Sequence, residues 1–164
     1  DVSEFVVSSG TLTVSTAQAT GRTISGAGNV TVNALATNAN LSNVSASGTI
    51  TANIAATGDY SANSNISTVD AFVVAASKTA TLSSAQAAKS ITLGSNAVAK
   101  AKVSTTADIS GTTFDSDVTH LTVAASKTAT LSTSQAALNI TLGSNAVAKA
   151  KVSTTADILS LIHI

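Results

Sequence analysis

Asp115 and Asp117, in the stretch FDSD, are the one acidic pair close enough in sequence to share a cation. Calcium takes six to eight oxygen ligands, commonly several of them carboxylate. Two aspartates with nearby backbone carbonyls are therefore the chain's candidate calcium site, set against the plain reading of a solvated loop. The other acids, Asp1, Glu4, Asp59, Asp70, Asp108 and Asp157, are scattered among neutral residues. They form no carboxylate cluster with basic partners of the kind a polysaccharide-cleaving β-helix enzyme needs. His120 is the one histidine worth weighing, and it is expected on an exposed loop or edge. No G-x-S-x-G elbow and no Ser/His/Asp set occurs. Catalysis is not expected.

A second spacing is conformational in its chemistry. Ser15 and Gln18, Ser83 and Gln86, and Ser132 and Gln135 each form S-x-x-Q. In this capping box the hydroxyl and the amide each satisfy a free backbone group at a helix start. One short helical turn per occurrence is predicted. Asn40, Asp108 and Asp157 share an equivalent position before Leu or Ile. An Asx side chain there bonds its own downstream backbone and shapes a turn.

The elements that must position these residues are thin. The 164 residues are 44% hydrophobic but only 2% aromatic and 10% charged, with no Cys, Met, Trp or Pro. Charged residues usually make up about 25% of a soluble domain. A mean hydropathy of +0.37 argues against disorder, which needs low hydrophobicity. The core must be built of Val, Ile, Leu and Ala, with Phe5, Phe72 and Phe114 as its large plugs. Such side chains suit thin, regularly stacked layers. Net charge is zero and Arg22 is the sole arginine, so nucleic-acid binding has no electrostatic footprint. No apolar run approaches the roughly 18 residues of a membrane helix, and disulfides and zinc fingers are excluded by the lack of Cys.

The chain repeats itself. ITLGSNAVAKAKVSTTADI runs from Ile91 to Ile109 and again, letter for letter, from Ile140 to Ile158, an offset of 49 residues (Val74 to Val123). A more diverged copy precedes them. VSEFVV from Val2, VDAFVV from Val69 and VTHLTV from Val118 line up. So do STAQA from Ser15, SSAQA from Ser83 and STSQA from Ser132, and then ANLS from Ala39, ADIS from Ala107 and ADIL from Ala156. His120 aligns with Glu4 and Ala71, so no role common to the copies is visible. The copies fall at 1–67, 68–116 and 117–158. The first is 18 residues longer than the 49-residue period, around NVSASGTITANIAATGDYSANSN. A solenoid accommodates such a surplus as one extra coil.

Within a copy, FVV from Phe72, TATL from Thr79 and SITL from Ser90 read as short β-branched strands. AVAKAKV from Ala97 alternates, with Ala97, Ala99, Ala101 and Val103 on one face, and is read as a strand. The expected fold is all-β: a β-solenoid of short stacked strands with one helical turn per repeat, the alternative being tandem β-sandwich modules. The opening at Asp1, without Met or signal peptide, is expected of a piece of a longer chain. The last six residues, LSLIHI from Leu159, leave the repeat and spell a translated transposase adapter (CTG TCT CTT ATA CAC ATC). Residues 159–164 are therefore expected to be a sequencing artefact, which strips His163 of meaning.

ISTVDAFVVAASKTATLSSAQA and GRTISGAGNVTVNALATNANLSNVSASGTI resemble the repeats of giant bacterial secreted surface proteins, the S-layer-like and RTX-type adhesin chains. Those carry V-[DE]-x-[LIF] openings and T-[LVM]-[ST]-x-x-Q turns. The likeness spans nearly all of residues 1–158 and implies an extracellular structural role. The G-G-x-G-x-D-x-U-x nonapeptide is absent, so that family's calcium ligands map to no residue here. Expectation thus centres on a structural spacer or surface-layer segment whose partners are neighbouring repeats of the parent chain. A repeat module binding glycan or ice is the alternative. T-x-T pairs at Thr11, Thr49, Thr79 and Thr128 are the pattern an ice-binding face uses, but at uneven spacing. No nucleic acid, membrane insertion or cofactor other than calcium is expected.

Overall fold

The computed structural model describes residues 2–152. Asp157 and residues 159–164 lie outside the described residues. Among the described residues strand takes 42% and helix 10%, several sheets are parallel and no barrel closes. The class is all-β.

The first copy contributes β1 (Glu4–Val6), β2 (Thr11–Ser15), α1 (Thr16–Ala19), β3 (Thr23–Ser25), β4 (Asn29–Asn33), β5 (Ile50–Ile54) and β6 (Gly58–Asp59). A single 3-10 turn follows at Ser64–Ile66. The second copy contributes β7 (Ala71–Val74), β8 (Thr79–Ser83), α2 (Ser84–Ala87), β9 (Ser90–Leu93), β10 (Val98–Val103) and β11 (Ala107–Asp108). The third supplies β12 (Val118–Val123), β13 (Thr128–Leu131), α3 (Thr133–Ala136), β14 (Asn139–Leu142) and β15 (Val147–Ala150).

Every sheet pairs in parallel, each strand lying against one about 20 residues further on. One five-stranded sheet runs β2-β4-β5-β7-β9 and another β14-β12-β10-β8-β6, with β1-β3 and β11-β13-β15 as smaller ones. An isolated parallel bridge from Ile24 to Val44 extends β3 by one layer. Alternation in each strand turns one set of side chains inward, and the parallel register stacks them in columns. Val14, Val32, Ala52, Phe72 and Ile91 make one such column. Leu82, Ala101, Leu121 and Ile140 make another. Alanine sits beside the largest residue in each, so the layers fill space with little aromatic volume. A fully buried Val, Leu or Ile contributes about 1.5–3 kcal/mol over leaving it exposed, and one continuous cluster of such residues runs from Val7 to Leu131. Of the three phenylalanines only Phe72 is buried; Phe5 and Phe114 pack against the core from its margin, and Tyr60 is the largest fully buried side chain.

The repeat does not return a strand to its own sheet. The 49-residue offset carries β7 and β9 of the first large sheet onto β12 and β14 of the second. It carries β8 and β10 of the second onto β13 and β15 of the third. Non-strand segments fill the positions left over. Tyr60, just after β6, reaches its hydroxyl to Leu35 O (3.2 Å) in the turn below. Leu41 N donates to Asn65 O at 3.0 Å. Asp115, in the turn after β11, accepts from Ile91 N of β9 at 3.2 Å, so this turn covers the end of the first large sheet. Exposed large apolar residues are confined to the first and last described layers: Val2, Val6, Leu142, Val147 and Val152.

Candidate functional site

The side chains singled out by spacing gather at the corners between layers. At α2, Ser83 Oγ accepts from Gln86 N at 3.2 Å, while Gln86 Oε1 accepts from Ser83 N at 2.8 Å. The same capping box closes on Ser15 and Gln18 at α1 and on Ser132 and Gln135 at α3. The spacing S-x-x-Q dictates this much, because both bonds are local.

The far end of the amide does what the spacing does not reveal. Gln86 Nε2 donates to Tyr60 O (3.2 Å) and Asn63 O (3.0 Å) in the layer below. Gln135 Nε2 donates to Ile109 O (2.9 Å) and Thr112 O (2.7 Å). Both glutamines are buried, and each one caps its own turn while fastening it to the preceding one. Gln18, in the first layer, is exposed.

The turns they grip, and the turn at Asn40, are built by Asx side chains. Asp108 Oδ1 accepts from Ser110 N (3.0 Å) and Ser110 Oγ (2.6 Å), and Asn40 Oδ1 does the same for Ser42 at 3.1 and 2.7 Å. Asp59 with Ser61 is a further member, at 2.9 and 2.5 Å. Sequence reading passed over it by matching Asn40 to Asp108. The signal was present: Asp59-Tyr60-Ser61 stands 49 residues before Asp108-Ile109-Ser110.

At these turns a lysine two layers up returns to the carboxylate. Lys102 Nζ lies 2.6 Å from Asp59 Oδ2, and Lys151 Nζ lies 3.5 Å from Asp108 Oδ2. Burial pushes the Asp59 carboxyl up, but hydrogen bonds from Lys102 and Ser61, with the Lys102 charge, together bring it below its ordinary value. The Ser110 hydroxyl and N–H hold Asp108 low, with a smaller contribution from Lys151. Burial raises the Tyr60 phenol.

Asp115 and Asp117 form a turn of the same kind. Asp115 Oδ1 accepts from Asp117 N at 2.9 Å and its Oδ2 from Ile91 N, so both oxygens are already committed to backbone. Among the described residues no three His, Cys, Asp or Glu gather as a metal would require. His120 points outward from β12 between Lys100 and Asn139 in register, with Thr119 Oγ1 at 2.8 Å from its Nδ1.

Two clefts recur with the repeat. One of about 280 Å³ lies by Ser67, Val69 and Gln86, and one of about 240 Å³ by Ser116, Val118 and Gln135. These residues are equivalent at the 49-residue offset. A wider polar hollow of about 570 Å³ is lined by Asp108, Ser110, Ser132, Thr133 and Lys151.

The T-x-T pairs are dispersed. Thr13, Thr31 and Thr51 align in one column of the first large sheet, which continues with Ala71 and Ser90. Thr79 and Thr128 lie on the second and third sheets. No described helix is long and apolar enough to cross a membrane. What the fold and corners define is a class: an all-β chain of parallel sheets with capped, layer-to-layer corners. No family model matches it, and comparison with curated proteins and with solved structures gives no match.

Proposed function

We propose that this chain is a β-solenoid segment serving as a non-catalytic spacer in a large bacterial surface protein, exported to the cell exterior. The observation that carries the reading is the uniform parallel pairing of each strand with one about 20 residues on. Sandwich modules pair their strands antiparallel; a coil that adds itself to the layer below pairs in parallel. The buried glutamines support the reading too, because each fastens one coil to the next. A spacer's work is length and stiffness, and any stackable unit supplies both. The extracellular placement rests on the resemblance to secreted surface repeats.

Each coil adds one strand spacing, about 4.8 Å. Inserting further copies of residues 68–116 is expected to lengthen the particle by about 11 Å per copy in small-angle scattering. Unchanged length would sink the proposal.

The Thr13, Thr31 and Thr51 column, with the amide contact from Asn53 to Asn33 at 2.6 Å, favours a second reading as a neutral glycan- or ice-binding face. Against it, the other T-x-T pairs leave that sheet. Binding on glycan arrays or inhibition of ice recrystallisation would promote this second reading over the first.

A further inference from the structure

We infer that each 49-residue copy advances its surface by one third of a turn, so that a repeat-borne feature returns to the same side of the array only every third copy. The inference rests on the solenoid reading proposed above and adds a phase to it.

The pairings define that phase. From β8 the chain passes β10 and β12, which stack on β8 in the same sheet, and then reaches β13, the repeat equivalent of β8, on the next sheet. The offset is thus two coils and one side. Each coil has three sides. Between β10 and β12 the chain runs through β11 and then a turn whose Asp115 covers β9 of the remaining sheet. One side in three makes 49 residues equal two and a third coils. The longer first copy obeys the same rule, with β1 and β2 advancing by one sheet to β7 and β8. Its 18 additional residues are a whole extra coil, which leaves the phase untouched.

The consequence concerns what the array presents. The Asp59–Lys102 and Asp108–Lys151 corners face different sides although their sequences are equivalent. A flat partner lying along the array meets equivalent corners about 34 Å apart, seven coils of about 4.8 Å each, and never on adjacent copies. Conversely, the number of copies sets the direction in which anything beyond the array points.

The chain has no cysteine, so Lys78→Cys with Lys127→Cys places spin labels at equivalent positions on consecutive copies. A third-turn advance puts them on different sides, about 20 Å apart given a face-to-face sheet separation near 10 Å. Two additional copies of residues 68–116 between them bring the labels back to one side at about 34 Å. Labels only about 11 Å apart on consecutive copies, growing in equal steps with each insertion, would overturn the phase while leaving the solenoid intact. Failure of the particle to lengthen in scattering on the same chains would overturn the solenoid itself.

Discussion

Gln86 Nε2 sits 3.0 Å from Asn63 O, one layer below the turn that the same side chain caps. One residue therefore closes a helix start, satisfies buried carbonyls and couples two layers. This is economical in a chain with few large side chains to lock layers in register.

Replacing Gln135 with Ala removes its bonds to Ser132 N, Ile109 O and Thr112 O. Leaving buried polar groups unpaired costs about 1–3 kcal/mol, and a lost cap about 1 kcal/mol. Gln135→Ala and Gln86→Ala are each expected to destabilise by about 2–4 kcal/mol on that basis. Gln18→Ala, whose side chain bonds only to Ser15 among the described residues, should lose about 1 kcal/mol or less. Urea denaturation of the three variants checks the order, and equal losses would contradict the layer-coupling role.

Glycine at 94 and 143 is required by close approach. A β-carbon on Gly94 would lie 2.6 Å from Ala76 N, and on Gly143 2.5 Å from Ala125 N. In both cases the obstacle is backbone of the adjoining layer, which cannot swing aside. Gly94→Ala is expected to cost about 1–3 kcal/mol, the scale of overpacking. Gly111→Ala meets nothing within 4 Å and should be near neutral. Thermal melts of the pair test the contrast.

Sequence made the local and the periodic legible. S-x-x-Q predicts the capped turns because donor and acceptor lie three residues apart, and alternation in AVAKAKV predicts β10 because Ala99, Ala101 and Val103 face inward. What it hid were relations between layers. Gln86 meets Tyr60 across 26 residues and Lys102 meets Asp59 across 43, separations that only the spacing between paired strands decides. The plug role expected of Phe5 and Phe114 failed for the same reason: each sits where the stack has a margin, whereas Tyr60 is enclosed and donates to Leu35 O and Ala56 O.

Asp115 and Asp117, equal as calcium candidates in sequence, are unequal in place. Asp115→Ala frees both Asp117 N and Ile91 N and should destabilise by about 1–2 kcal/mol. Asp117→Ala should change stability by less than about 0.5 kcal/mol. Calorimetry with and without millimolar calcium separates the readings: a melting temperature that rises with calcium and loses that rise in both variants would restore the metal site.

Acid should loosen the corners. The Asp59 and Asp108 carboxyls are held below their ordinary value in the fold, so the folded chain releases their protons more readily than the unfolded one. Their contribution is complete above the unfolded pKa of about 3.9 and is lost as pH falls through the lower folded values. Stability is therefore expected to drop below about pH 4. The Asp59 pair is partly exposed, with side-chain exposures of 29% for Lys102 and 47% for Asp59, so solvent screening limits it to about 0–1 kcal/mol. Lys102→Met removes the partner but leaves the Ser61 bonds, which should shrink this acid-dependent loss without abolishing it. Added salt should weaken the wild-type pair in the same direction. Urea midpoints between pH 3 and pH 7 measure the effect, and an acid limb identical in wild type and in Lys102→Met would show that the lysine contributes nothing to it.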